Sequence, residues 1–310
     1  MVTSILTVME QVVELFLMIG VGVVCSRVGM ITRRGAAQLT SFLLYLVAPT
    51  LILVSLTGTD TDIGPEDLAM AFGLALLAHG LGILVSCLFF RKEPDARKRI
   101  FRFAAVYSNT GFMGIPLVQA VVGPEGVIYA SIFVVVFNVV VWTHGYGLMS
   151  GGQRTGLKKL LLNPGLLALA VGLPMFFLDW HFPQVLQGPL ESFSALNTPL
   201  AMVIIGCNIA RVSLRGFFSD LKMLGACALR LLVVPGIFFA AVLALRPEPV
   251  LLLSCVIQAS APAAANTVLF ASQFGTGGPL ASKVVAVTTL FSIVTMPVFV
   301  VAAQWACGML

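Results

Sequence analysis

The feature that most constrains this chain is a series of apolar stretches, each about as long as a bilayer is thick, separated by short polar loops. They run over residues 4–26, 36–56, 68–90, 101–122, 127–148, 157–178, 190–210, 223–245, 250–274 and 280–307. A helix needs roughly 20 apolar residues to cross the hydrocarbon core, and only helices and closed barrels satisfy every backbone polar group there. Ten such stretches nearly fill 310 residues. The expectation is an all-α integral membrane protein with ten spans and no sizeable aqueous domain. Charged residues make up 10% of the chain, against about 25% in a soluble domain. The seventh stretch is the least regular, because Glu191, Ser192, Ser194, Asn197, Thr198 and Pro199 occupy its first half. The first stretch carries Glu10 and Glu14 and has no basic leader, so it reads as a span and not as a cleaved signal.

Loop charge alternates in step with the spans. Arg27, Arg33 and Arg34 follow the first; Arg91, Lys92, Arg97, Lys98, Arg99 and Arg102 the third; Arg154, Lys158 and Lys159 the fifth; Arg211, Arg215 and Lys222 the seventh; Lys283 the ninth. The other loops hold Arg246 and otherwise mostly Asp and Glu. The positive-inside rule places the basic set in the cytoplasm and both termini outside. The net charge of +5 is accounted for by these loops, with no basic face for nucleic acid. The six cysteines are dispersed with no CxxC, so neither a disulfide framework nor a metal site is expected.

Ten spans divide into residues 1–150 and 151–310, five each, and an odd number forces the second half to enter the membrane inverted. Prolines recur at matching places: Pro49 with Pro199 in spans two and seven, Pro116 with Pro262 in spans four and nine. Proline removes a helical hydrogen bond, and interrupted spans at corresponding positions of two inverted halves point to a transporter site. Span four reads SNTGFMGIP around Pro116, and span nine reads QASAPAAANT around Pro262. At 1.5 Å per residue, a midplane ~15 Å deep falls near Gly111 in one and near Ser260 in the other. The two breaks lie at similar depth from opposite directions.

A broken helix offers the N-terminus of its second half inside the membrane, where free N–H groups and the dipole favour an anion. Asn109, Thr110, Gly111, Gly114, Pro116, Pro262, Asn266 and Thr267 are the candidate substrate-binding residues; Asn and Thr there either donate to a carboxylate or cap the broken backbone. Further candidates for coupling or support each have two readings. Glu14 takes up a proton or is hydrogen-bonded at a helix contact. His79 relays protons or packs. Asn138 supports span four or joins helices. Arg230 snorkels to the cytoplasm or meets the anion.

The expected function is secondary transport of a small organic anion, a mono- or dicarboxylate, across a plasma membrane. No cofactor is expected, and H+ or Na+ are the candidate coupling ions. A sensor or channel on the same fold is the alternative. An intramembrane enzyme ranks last, because HExxH, GxSxG and P-loop motifs do not occur.

Several stretches resemble the auxin efflux carrier family, which includes plant auxin exporters and bacterial malonate- or malate-type permeases. They are 108–117 (SNTGFMGIPL), 132–142 (IFVVVFNVVVW), 162–172 (LNPGLLALAVG), 199–210 (PLAMVIIGCNIA), 258–275 (QASAPAAANTVLFASQFG) and 288–297 (TTLFSIVTMP), in family order over the whole chain. The resemblance implies a ten-helix 5+5 inverted repeat, shared more distantly with sodium–bile acid symporters. Spans 1, 2, 6 and 7 would be a scaffold, and spans 3–5 and 8–10 a moving transport domain. Broken, crossing helices four and nine would hold substrate, with an elevator-like motion and a homodimer through the scaffold. Asn109 sits where the plant exporters place a substrate-binding Asn, and Pro116 and Pro262 match the crossover prolines. Asn266 falls where the plant proteins have an apolar residue. Residues 151–159 are short where the plant exporters have a long hydrophilic loop. This favours a bacterial-type permease of the inner membrane over an auxin carrier.

Overall fold

The computed structural model describes residues 2–57, 63–153, 162–212 and 219–308. All regular structure among them is helical: α1 (Val2–Arg27), α2 (Arg33–Thr57), α3 (Pro65–Leu88), α4 (Asp95–Val106), α5 (Thr110–Val121), α6 (Pro124–Ser150), α7 (Pro164–Phe177), α8 (Gln184–Ile209), α9 (Leu221–Leu245), α10 (Pro249–Ser260), α11 (Asn266–Gln273) and α12 (Gly278–Ala306). Six of these (α2, α3, α6, α8, α9 and α12) are long and apolar enough to cross a membrane. With large apolar residues exposed along most helices, the chain is a multi-pass membrane protein.

Local sequence sets the helix ends. Proline stands at the first turn of α3, α6, α7 and α10, where its missing N–H costs nothing. Side-chain oxygens of Thr32, Asn163, Asp220 and Glu248 accept from first-turn N–H groups of α2, α7, α9 and α10, filling positions that would otherwise be orphaned. Gly123 and Gly151 adopt positive φ at the ends flanking α6.

Wide π turns interrupt α2, α6 and α9 and open α5, and three precede a proline by two residues: Leu43–Val47 before Pro49, Thr110–Gly114 before Pro116, Leu229–Val233 before Pro235. A proline ring crowds the carbonyl one turn back and supplies no N–H. An i→i+5 turn at that place relieves both problems without ending the helix.

Two of the extensively packed helix pairs are α1 with α8 and α2 with α7. α1 lies along α8, with Gly22 and Gly206 at the crossing; a Cβ on Gly206 would stand 2.0 Å from the Ile19 carbonyl oxygen, and one on Gly22 2.2 Å from that of Val203. α2 lies along α7. The other helices gather around α4–α6 and α10–α12. An aromatic cluster ties α4, α6 and α11 together, with the Phe270 ring centre 5.6 Å from that of Phe103 and 5.1 Å from that of Trp142.

Candidate functional site

Helix α4 ends at Val106 and α5 begins at Thr110; α10 ends at Ser260 and α11 begins at Asn266. The two gaps meet. Ser108 and Ala263 pair as an isolated antiparallel bridge. Asn109 N donates to the Pro262 carbonyl at 2.7 Å, and Ala264 N to the Tyr107 carbonyl at 2.9 Å. The Ala263 N–H donates to Thr288 Oγ1 of α12 at 3.2 Å. Backbone groups released by the breaks are therefore satisfied partly by the opposite break and partly by side chains of neighbouring helices, as an apolar surrounding requires. Four helix ends converge: the C-termini of α4 and α10 and the N-termini of α5 and α11.

The polar candidates cluster at the two N-termini. Asn109 is buried, and its side chain makes no hydrogen bond among the described residues. The Thr110 and Thr267 hydroxyls are 1% and 0% exposed residues' oxygens that also find no partner. Asn266, half-buried, opens α11. A Cβ on Gly111 would meet nothing within 4 Å, so space lies beside the first turn of α5. Buried donors without acceptors cost on the order of 1–3 kcal/mol each.

Other candidates stand elsewhere. Pro116 is not the break: the chain leaves helical geometry at Tyr107–Asn109, and Pro116 follows a π turn inside α5 like Pro49 and Pro235 in their helices. Pro262 does lie in its gap. Gly114 faces Gln258, whose Oε1 would be 1.9 Å from an added Cβ; it makes room for a side chain and not for open space. Asn138 does not support span four; its Oδ1 accepts from Asn163 Nδ2 at 3.2 Å, joining α6 to α7. Glu10 and Glu14 are exposed on the outer face of α1, in line with Leu17, Val21 and Val24, with no hydrogen bond or ion pair among the described residues. Glu14 is thus not a buried acid at a helix contact. His79 is buried against Phe133, Phe137 and Tyr107 and donates from Nδ1 to the Ala75 carbonyl at 2.7 Å; its Nε2 has no partner among the described residues.

Arg230 does not snorkel to the cytoplasm. It is 1% exposed and does not reach an aqueous surface. One guanidinium nitrogen donates to the Ala105 and Val106 carbonyls at 3.2 and 3.1 Å, and another to the Ala259 carbonyl. It closes the C-termini of α4 and α10 together.

Tyr107, Gln258 and Thr288 also build this centre and were not singled out by sequence. The Tyr107 hydroxyl bonds with His144 Nδ1 at 2.8 Å while its carbonyl holds the crossing. Gln258 carried a signal, being a polar residue in the run before Pro262. Thr288 did not, because a lone threonine in an apolar helix is commonplace.

Beside the crossing, α5 presents Met113 and Leu117 to Val12, Phe16, Met202 and Met296 of α1, α8 and α12, around a small apolar hollow. At the basic end of the molecule Arg97 bridges Glu93 at 3.0 Å and Asp220 at 2.9 Å, linking α4 to the cap of α9. Burial raises the Asp220 carboxyl, but its hydrogen bonds from Arg97 and the Met223 N–H and the Arg97 charge outweigh that and hold it below the usual carboxylate range.

The profile of the family described as "Membrane transport protein" matches residues 7–159 and 153–300. A protein of Rhizobium meliloti (strain 1021) named "Putative malonate transporter" is 24% identical over 271 residues, 83% of this chain and 84% of that protein. An "Uncharacterized transporter" of Methanothermobacter thermautotrophicus is 25% identical over 300 residues, 94% of this chain and 96% of that one. A multi-pass helical protein with paired helix breaks that matches this profile over nearly its whole length belongs to the membrane transport protein family, that of the auxin efflux carriers.

Proposed function

We propose that this transporter moves a small organic anion, a mono- or dicarboxylate, by alternating access, and that the anion is held at the N-termini of α5 and α11. The observation that carries the reading is the pairing of the two breaks through Asn109 N and the Pro262 carbonyl. The crossing gathers two positively polarised helix ends, with Thr110 and Thr267 hydroxyls that find no partner among the described residues. Asn109 and Asn266 add amide donors without a full charge, which suits a ligand that must also be released. The name of the Rhizobium meliloti relative agrees with a dicarboxylate.

The finer architecture belongs to the same proposal. Ten spans form a 5+5 inverted repeat of residues 1–150 and 151–310, with α4–α5 as span four and α10–α11 as span nine. Supporting this is the reciprocity of packing: α1 lies on α8 and α2 on α7, which are span 1 on span 7 and span 2 on span 6, each the counterpart of the other. Those four spans are the scaffold, the remaining six the transport domain, and the motion is elevator-like. Both termini face outward from a bacterial inner membrane. A second copy docks on the exposed stripe of Glu10, Glu14, Leu17 and Val21.

The test is thermal unfolding of the purified protein with a panel of mono- and dicarboxylates, since a ligand bound only by the folded state raises the melting point. Counterflow in proteoliposomes follows with each stabilising compound. Asn109→Ala is expected to abolish both signals while inserting and folding normally. Full uptake by that variant, or flux without counterflow, overturns the reading.

A further inference from the structure

A full positive charge buried in a membrane protein needs compensation. Arg230 has no carboxylate within ion-pairing distance among the described residues. Its partners are three backbone carbonyls, Ala105 and Val106 at the end of α4 and Ala259 at the end of α10. Each helix C-terminus carries roughly half an elementary negative charge, so the two together about balance one guanidinium. The planar fork of arginine, with donors on two nitrogens, spans both ends at once. The π turn Leu229–Val233, within which Arg230 lies, interrupts the regular winding of α9 at this point.

The charges at the crossing then sort cleanly. The two negative ends are occupied by Arg230. The two positive ends, of α5 and α11, sum to roughly one positive charge and adjoin the Thr110 and Thr267 hydroxyls, which find no partner among the described residues. In interrupted-helix transporters, half-helix C-termini and unwound carbonyls are the groups that bind a coupling sodium ion. Here those oxygens already hold a cation that cannot leave.

We infer that Arg230 is a tethered counter-ion standing in for a coupling sodium ion, so that this protein binds and moves its anion without sodium, and the translocating centre is positive when empty and neutralised when the anion binds. The inference rests on the anion site proposed above and decides between the coupling ions that the sequence left open: sodium is not used. Arg230 is a positioning residue, acting on the anion through the helix ends that it ties together and through its field.

The experiment measures thermal stabilisation of the purified wild type by malonate and the other carboxylates in sodium, potassium and choline chloride. Apparent affinity is expected to agree within about twofold in the three salts. Arg230→Met is expected to lose more than about tenfold in affinity, and Arg230→Lys to recover part of it, because a lysine restores the charge without the bridging fork. Stabilisation that needs sodium in the wild type overturns the inference alone, as does an Arg230→Met protein that binds like wild type in choline. If Arg230→Met does not fold, the salt series on the wild type decides by itself. If no carboxylate stabilises the wild type in any salt, the anion site falls, and this inference with it.

Discussion

Gly111→Ala separates a residue that shapes the binding space from one that only permits packing. Gly111 sits in the first turn of α5, half-buried, with a φ outside the left-handed region and nothing within 4 Å of the place where a Cβ would go. Alanine is therefore sterically free there. It also restricts the unfolded chain more than glycine, so stability is expected to hold or rise by about 0.4–1 kcal/mol. The added methyl projects into the space beside Asn109 and Thr110. If that space is the anion's, a methyl there costs about 1–3 kcal/mol of binding, a loss of roughly 10–200-fold. The paired control is Gly114→Ala, three residues on. Its Cβ would stand 1.9 Å from Gln258 Oε1 and 2.7 Å from Cδ, and the Gln258 side chain is fully buried. Such overpacking costs about 1–3 kcal/mol of stability. Melting temperature and proteoliposome uptake of whichever carboxylate stabilises the wild type are read for both. Gly111→Ala is expected to be as stable as wild type and to transport poorly; Gly114→Ala is expected to melt lower. A Gly111→Ala protein with wild-type uptake would refute the placement of the anion at the start of α5.

Gly206→Ala sets a methyl 2.0 Å from a backbone oxygen of α1, an atom that cannot swing aside. It is expected to lower stability by about 3 kcal/mol or more, whereas Gly20→Ala, with nothing within 4 Å, leaves melting unchanged. Asn163→Ala removes the cap of α7 and the partner of Asn138; a loss of about 1–2 kcal/mol in chemical unfolding is expected. The Asp220 carboxyl titrates lower in the folded protein than when unfolded, so its contribution is present above the unfolded value and is lost as pH falls through the folded one. Because the pair with Arg97 is partly solvated, Asp220→Asn is expected to cost under about 1 kcal/mol at neutral pH and to flatten the acid limb of the melting curve. Cysteines placed at Glu66 and Gln153 in a cysteine-free background are expected to react with an impermeant thiol reagent from opposite sides of the membrane; labelling from one side would undo the proposed orientation.

How much of this was legible in the sequence follows from what each residue's neighbours in the chain can say. Span positions came through because hydropathy is local. Stretch 68–90 became Pro65–Leu88, and 223–245 became Leu221–Leu245. The depth arithmetic placed the breaks near Gly111 and Ser260, and the gaps lie at Tyr107–Asn109 and Ala261–Ala265. Proline misled at position 116, because a π turn accommodates its ring and lets the helix continue; the break, two to four residues before the predicted depth, is sealed by partners from the α10–α11 gap. The snorkelling reading of Arg230 failed because its partners are remote in sequence. An arginine two turns into a helix ordinarily extends to water, and nothing in its own segment announces that two helix ends, 125 and 29 residues away in sequence, would arrive at its guanidinium. Long-range closure of this kind is a property of the assembled fold.

The distribution of hard and soft contacts bears on how such a molecule could move. The crossing is held by directional contacts: two backbone–backbone hydrogen bonds, a third from the Ala263 N–H to the Thr288 hydroxyl, a tyrosine held by His144, and an arginine clamping two helix ends. Where α1 and α8 meet, glycines bring backbone against backbone. Neither surface has slack, since displacement by an ångström would break bonds or create overlap. The surface between them is different. There α5 meets α1, α8 and α12 through Met113, Leu117, Met202 and Met296 around a hollow. Methionine is unbranched and polarisable and repacks at little cost, and no hydrogen bond crosses at these side chains among the described residues. On the proposed elevator motion, slip belongs at this methionine-lined seam. Replacing Met113 and Met202 by β-branched isoleucine, close in volume but stiff at χ1, is then expected to slow uptake while leaving carboxylate stabilisation intact; unchanged uptake would place the moving boundary elsewhere.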